Sequence, residues 1–280
     1  MSRLTAALAA GRFVLTTSLG TLPDPDRDDL RRKLSEVRER FDCVKFADNP
    51  RARARVSPWA AASVAITEGV EPIVHVTCRD RNRLALESDL LGGRLLGVPN
   101  LLCLRGDEIE VTNQPAAHGV RDTDVVELIR VASRPSSGFT VLAACDPNAG
   151  VTESHLARLA EKVAAGARLL ETQPIFDVSR FATWLAHLRE AGVEVPLLVD
   201  VSVVATVQQA ELLERIPFVQ APDDLAMRLR RDRSAGIELA AQTVGALREL
   251  DGVAGCHLSP LSGQPDLALA VLDRSGPARE

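Results

Sequence analysis

The stretch from His75 to Asp107, HVTCRDRNRLALESDLLGGRLLGVPNLLCLRGD, decides the fold. An apolar run from Pro72 to Val76 ends in the polar cluster Thr77, Cys78, Arg79 and Asp80. A stretch with helical spacing follows. A second apolar run, Val98 to Leu104, then ends in Arg105, Gly106 and Asp107. Short apolar runs bounded by turn residues read as buried strands, so the order is strand, polar turn, helix, strand, polar turn: a βαβ unit. Both polar clusters lie just past the carboxyl ends of their strands, where α/β proteins place ligand sites.

The same alternation extends outward in both directions. It predicts strands over 13–18, 42–46, 72–77, 99–104, 139–144, 168–172, 195–199 and 253–258. Between them the spacing predicts helices over 27–40, 58–68, 81–96, 123–132, 153–165, 178–191, 203–215 and 237–248. About eight βα units without a break in composition predict one α/β domain over 1–280, a single (β/α)8 TIM barrel, with 274–280 as a frayed tail. An open doubly wound sheet is the alternative; no GxGxxG turn follows any strand, which counts against a dinucleotide fold. Gly166 stands where a helix must stop and a strand start at once. Ser57 before Pro58 fits an N-cap followed by proline at the first helical position. The polar stretch 108–121, with Pro115 and Gly119, reads as a long loop over the barrel mouth and a candidate lid.

Composition bounds the function. The 280 residues carry 33 Lys and Arg against 38 Asp and Glu, a net charge of −5. That balance argues against a nucleic-acid surface, so clusters such as Arg51, Arg53 and Arg55 read as solvated faces. No apolar run reaches the roughly 18 residues of a membrane helix. The start, MSRLTAALAAGRF, lacks the apolar core of a secretory signal, so the expected compartment is the cytoplasm and the expected partner a small molecule. The five cysteines show no CxxC spacing. They read as small buried hydrophobes of a reducing compartment rather than metal ligands. The oligomeric state is not legible.

Three motifs run in order: TCRDRNR-x-AL-x-SDLLG from Thr77 to Gly92, N-x-L-x-L-x-GD from Asn100 to Asp107, and GA-x-x-x-x-TQPxFD from Gly166 to Asp177. With Asp48-Asn49, Arg51-Ala52 and Glu71-Pro72-Ile73, the chain resembles the methylenetetrahydrofolate reductase family, in particular its short, acetogen-like branch, over about residues 14–258. The resemblance implies a folate one-carbon enzyme that reduces 5,10-methylenetetrahydrofolate to the 5-methyl form, with FAD and NAD(P)H as cofactors. It places Asp107 close to flavin and folate, where it tunes the site electrostatically. The plainer alternative for Asp107 is a carboxylate held by the neighbouring Arg105. Gln173 is implied to read the pterin, because one amide offers both a carbonyl acceptor and an NH₂ donor. Phe176 flanks the pterin or packs in the core, and Asp177 reads as the N-cap of the next helix. His75, Thr77, Arg105, Gly106 and Lys162 fall on the cofactor side: His75 as a ring donor near the flavin, Gly106 allowing close backbone approach, Lys162 near the cofactor phosphates.

The chain also departs from the family pattern. Ser18 occupies the place of the glutamate that is the family's presumed general acid, and serine cannot act as a carboxylic acid near neutral pH. Asp24 or Asp26 could substitute from the following loop. There is no tyrosine in the chain. Glu161 stands where a basic residue often precedes the lysine, Ala47 where a threonine ends the second strand, and Arg121 where an aromatic follows the GD loop. A carboxylate at 161 would repel a diphosphate, so the flavin site is thinned. Three readings therefore remain: a reductase with an altered acid and weak or absent flavin, to which nicotinamide would hand hydride directly; a tetrahydrofolate-dependent methyl or one-carbon transferase without a redox step; and a non-catalytic folate-binding homologue.

Overall fold

The structure is a computed structural model and describes residues 2–20, 22–109, 112–216 and 219–276. Eight parallel strands close in chain order: β1 (Val14–Ser18), β2 (Cys43–Phe46), β3 (Pro72–Thr77), β4 (Asn100–Leu104), β5 (Thr140–Cys145), β6 (Leu169–Thr172), β7 (Leu197–Val203) and β8 (Val253–Pro260). The (β/α)8 barrel read from the alternation is the observed architecture, and the open sheet is excluded by the pairing of β1 with β8.

Side chains alternate between the two faces of each strand, which divides the core in two. Outward residues such as Val44, Val74, Leu101, Val141, Leu170, Val199 and Leu258 join the main apolar cluster under the helices. Inward residues Val14, Cys43, Ile73, Leu102, Leu142, Leu169 and Leu198 form a separate cluster inside the barrel. A short helix missed by the sequence reading, α1 (Arg3–Ala9), adds Leu4 and Ala7 to that interior. Its N-cap is Ser2, and Glu71 accepts from the backbone N–H groups of Arg3 and Leu4, satisfying donors that a helix start leaves open.

The outer helices follow the expected periods. α2 (Arg27–Val37), α3 (Pro58–Thr67), α4 (Arg83–Leu95), α5 (Val125–Ala132), α6 (Glu153–Ala164) and α7 (Val178–Glu190) lie within a few residues of the predicted limits. Pro58 holds the first turn of α3, but Ser57 makes no side-chain cap bond. Gly166 turns the chain at φ 118°, and a Cβ there would meet the Ser133 Cβ at 2.4 Å. The largest departures cluster after β7. The strand continues through Asp200, Val201 and Ser202 to Val203, beyond the expected end at 199. Three helices follow, α8 (Val207–Leu213), α9 (Leu225–Arg231) and α10 (Ala235–Arg248), around a satellite core of Val204, Leu213, Leu225 and Leu229. A last helix, α11 (Pro265–Arg274), runs through the start of the expected frayed tail; residues 277–280 lie outside those described.

Candidate functional site

The residues singled out from sequence gather at one end. Ser18 ends β1, Ala47 follows β2, Thr77 ends β3, Ala144 is next to last in β5 and Gln173 follows β6. Asp107 lies three residues beyond β4. All are at the carboxyl ends of the strands, the mouth of a parallel barrel.

On the β2–β4 side of the mouth the polar groups serve one another. Asp48 is buried and accepts from the Thr77 N–H and hydroxyl, both at 2.9 Å, while Arg81 reaches it with two nitrogens at 2.7 and 3.0 Å. Thr77 is therefore committed to holding Asp48. Arg79 is fully buried, donates to Asp80, and reaches the Asn49 carbonyl at 3.0 Å. Asp107 accepts from the Arg51 N–H at 2.7 Å. That bond pins a loop in which Asn49, Arg51 and Ala52 all have positive φ, at 45°, 55° and 53°. Each such non-glycine residue costs of order 1 kcal/mol and persists only where its surroundings hold it. Arg105 does not hold Asp107; it pairs with Glu108 at 3.0 Å. Gly106, at φ 86°, lets the chain pass Arg79, whose Cβ would lie 2.8 Å from an added Cβ. The loop expected as a lid is tied at its ends by the Glu108–Arg121 ion pair; residues 110 and 111 within it lie outside those described.

The centre of the mouth differs in character. Above the apolar interior, the next inward positions are Leu104 and Ala144 together with the polar Thr16, Lys45, His75, Glu171, Asp200 and His257. Lys45 and Glu171 form an ion pair across the barrel, with side chains 1% and 8% exposed. The contact lacks hydrogen-bond geometry at Lys45 Nζ, and Glu171 Oε2 and His75 Nε2 have no partner either among the described residues. The Thr16 hydroxyl lies 2.9 Å from His257 Nδ1. Burial, reinforced by the Lys45 charge, pushes His75 down to about 3 and His257 well below its ordinary value, so both rings are neutral at pH 7. Burial pushes the Asp200 carboxyl up to about 7 against the opposing bond from Ser259, whose Oγ lies 2.5 Å from Asp200 Oδ1.

The remaining candidates sit apart from this centre. Lys162, on α6, donates to the Ala144 carbonyl at 2.6 Å, and burial lowers its pKa. Beside it a cleft of about 890 Å³ is lined by Arg83, Arg105, Arg121, Arg130, Arg158 and Glu161 among others. Its arginines are paired: Arg158 with Glu161 and Asp124, Arg83 and Arg130 with Glu127, Arg105 and Arg121 with Glu108. Phe176 lines a second cleft of about 340 Å³ with Asn148, Phe181 and Pro222, and packs on the satellite core. Asp177 caps α7, as expected. Asp26 caps α2, accepting at 3.0 and 2.9 Å, and Asp24 is exposed on the same β1–α2 connection.

Lys45, Glu171, Asp200 and His257 were not found from sequence. The signal was present: in each strand they stand two residues from an apolar inward residue, at Cys43, Leu169, Leu198 and Gly255. A period-2 reading of the strands in register marks them as one interior layer. Asp200 was lost because the polar Asp-Val-Ser step looked like the end of a strand.

A closed parallel barrel with a polar layer at the carboxyl end of its interior defines the molecule's class: a (β/α)8 barrel with its candidate site at the mouth. Within that class the chain belongs to the methylenetetrahydrofolate reductase family, whose sequence model, described as "Methylenetetrahydrofolate reductase", matches residues 28–276. Similar proteins include a "Probable methylenetetrahydrofolate reductase (NADPH)" of Caenorhabditis elegans, 25% identical over 59% of this chain. "Methylenetetrahydrofolate reductase 1" of Schizosaccharomyces pombe is 29% identical over 46% of the chain, and "Methylenetetrahydrofolate reductase 2" of Saccharomyces cerevisiae 27% over 58%. The matched region spans 25%, 22% and 28% of those relatives' own lengths. Among solved structures, 2,3-dimethylmalate lyase shares the fold with a TM-score of 0.54 at 14% identity, covering 98% of this chain and 86% of that one. A tryptophan synthase from M. tuberculosis gives 0.56 at 14% identity, covering 98% and 99%.

Proposed function

We propose that the chain is a folate oxidoreductase that converts 5,10-methylenetetrahydrofolate to the 5-methyl form with a nicotinamide as hydride donor. The observation that carries this reading is the mouth of a barrel of this family that keeps Gln173 just past β6 and Asp107 just past β4, around a buried polar layer in which His75 Nε2 and Glu171 Oε2 lack a hydrogen-bond partner among the described residues. Gln173 is half-exposed and uses its N–H on the Cys145 carbonyl at 2.9 Å, which fixes the backbone and leaves the amide for a pterin edge. The bridging carbon of the substrate joins two nitrogens. A proton on one nitrogen opens that bond and leaves an iminium on the other, which accepts hydride.

The residues present do not fit a flavin. Lys162 is turned onto the Ala144 carbonyl, and the arginines of the neighbouring cleft are already neutralised by carboxylates, Glu161 included. A diphosphate would have to displace those pairs. A second reading, one-carbon transfer without redox, draws on Ser18 in place of the family glutamate.

The test is NADH or NADPH oxidation on addition of methylenetetrahydrofolate by a colourless purified protein. Turnover supports the reductase. Folate binding without nicotinamide oxidation moves the reading to transfer. Gln173→Ala should weaken folate binding by about 1–3 kcal/mol, the cost of leaving a polar pterin edge unpaired. Unchanged affinity by titration calorimetry would remove Gln173 from the site.

A further inference from the structure

We propose that Asp200 is the proton source of this site, acting through the Ser259 hydroxyl in place of the carboxylic acid missing at Ser18. The inference rests on the folate reading above and names the acid that reading lacks.

The geometry points to Asp200 before any other carboxylate. It stands on β7 opposite His257 of β8 in the sheet register, and Thr16 of β1 stands opposite His257 on the other side. Asp200 thus lies in the interior layer just beneath Ser18. Ser259 stands two residues further along β8, toward the mouth, beside Ser202 of β7, whose Oγ is 3.4 Å away. The 2.5 Å contact between Asp200 and Ser259 therefore leads from the buried layer to the rim. Asp200 keeps part of its surface open, whereas Glu171 is buried and paired with Lys45. Asp26 is taken up in capping α2, and Asp24 is exposed on the β1–α2 connection.

The surroundings favour an acid that holds its proton. The charged and titratable groups around Asp200 are Lys45 from β2, Glu171 from β6, and His257 and the Cys256 thiol from β8, with His75 of β3 next to His257. The two histidines are neutral, and Lys45 is matched by Glu171. An ionised Asp200 would be a second negative charge beside a single cation in a water-poor interior. Burial accordingly raises its carboxyl to about 7, where a general acid is most effective.

The step balances. Ser259 gives its hydroxyl proton to the folate nitrogen and takes the proton of Asp200. The carbon–nitrogen bond breaks with its electron pair on that nitrogen, and the bridging carbon becomes an iminium. Hydride from the nicotinamide then makes the methyl group, and Asp200 regains a proton from water. One proton and one hydride are consumed per turnover.

The experiment measures turnover against pH for the whole protein and its variants. The wild-type rate should fall as pH rises through about 7, because only the protonated acid serves. Asp200→Asn should lower kcat by about 10²-fold or more, leave folate affinity near that of wild type, and lose that alkaline limb. Ser259→Ala, which leaves the carboxyl in place, should also lower kcat. Ser18→Glu added to Asp200→Asn should restore turnover, a rescue that a merely structural Asp200 would not allow. An active wild type with Asp200→Asn and Ser259→Ala equally active, alkaline limb intact, overturns this inference alone. A wild type that neither binds reduced folate nor oxidises nicotinamide with it overturns the folate reading and this one together. If Asp200→Asn does not fold, Ser259→Ala decides by the same kcat and pH criteria.

Discussion

Asp200 stands inside the barrel on β7, in register with His257 of β8. It lies one residue past the strand end expected at 199, and burial there moves its carboxyl from an ordinary 3.8 to about 7. The stability consequence has a definite sign. Below the unfolded value both states hold the proton and the group contributes nothing. Between 3.8 and about 7 the unfolded chain releases it while the native state keeps it, so stability falls as pH rises through that window. Above it the destabilisation is constant. His75 and His257 act in the opposite sense, since their lowered values cost stability as pH falls below 6.5. That loss is shared by wild type and Asp200→Asn and cancels in their difference. Urea unfolding from pH 4 to 8 should therefore show wild type losing stability relative to Asp200→Asn as pH rises. A difference that does not vary with pH would mean that Asp200 is not a buried acid.

At the level of elements, most limits were legible because helix and strand periods differ and the chain punctuates them with Gly, Pro and Asp. The misses have separate causes. α1 has seven residues and an apolar face of two, Leu4 and Ala7, too little for a helical period to show. It is stabilised by contacts that exist only once the barrel has closed: apolar burial against Ile73 and Leu102, and the Glu71 carboxylate on its first N–H groups. Leu4 is fully buried, so Leu4→Ala should cost about 2–5 kcal/mol, transfer and cavity together, read as a lowered midpoint in chemical unfolding. A loss below half a kcal/mol would mean that α1 frays from the barrel in solution. The helices after β7 were misjudged because the strand ran on: Val203, expected to open a helix, pairs with Pro260 of β8 instead.

For the whole molecule, the Lys45–Glu171 pair joins β2 to β6 across the interior, a contact between residues more than a hundred positions apart. Buried pairs of this kind seldom add stability over well-packed apolar residues, because desolvation offsets attraction, but removing one partner strands the other charge. Lys45→Met alone should destabilise by about 3–5 kcal/mol, while Lys45→Met with Glu171→Leu should recover most of that loss. Equal destabilisation in the single and double variants, by thermal or urea unfolding, would show that the two charges do not depend on each other. The pair also matters for the site, since Lys45 and Glu171 set the charge around Asp200.

Read alone, the sequence determined the barrel, the family and the rim. Those are written locally: apolar runs that end in polar clusters, a glycine at a forced turn, and motifs carried on single βα units. Thus Ser18, Asp107 and Gln173 could be placed at strand ends from their own neighbours, and the absence of a carboxyl at Ser18 was visible by inspection. Only the tertiary structure decided how the polar groups inside the barrel pair and which of them hold a proton. Thr16, Lys45, His75, Glu171, Asp200 and His257 come from six different strands, and their roles depend on which side chains they meet across the interior. No local pattern carries that information, because the protonation and pairing of a buried polar group depend on neighbours that the closing of the sheet brings together.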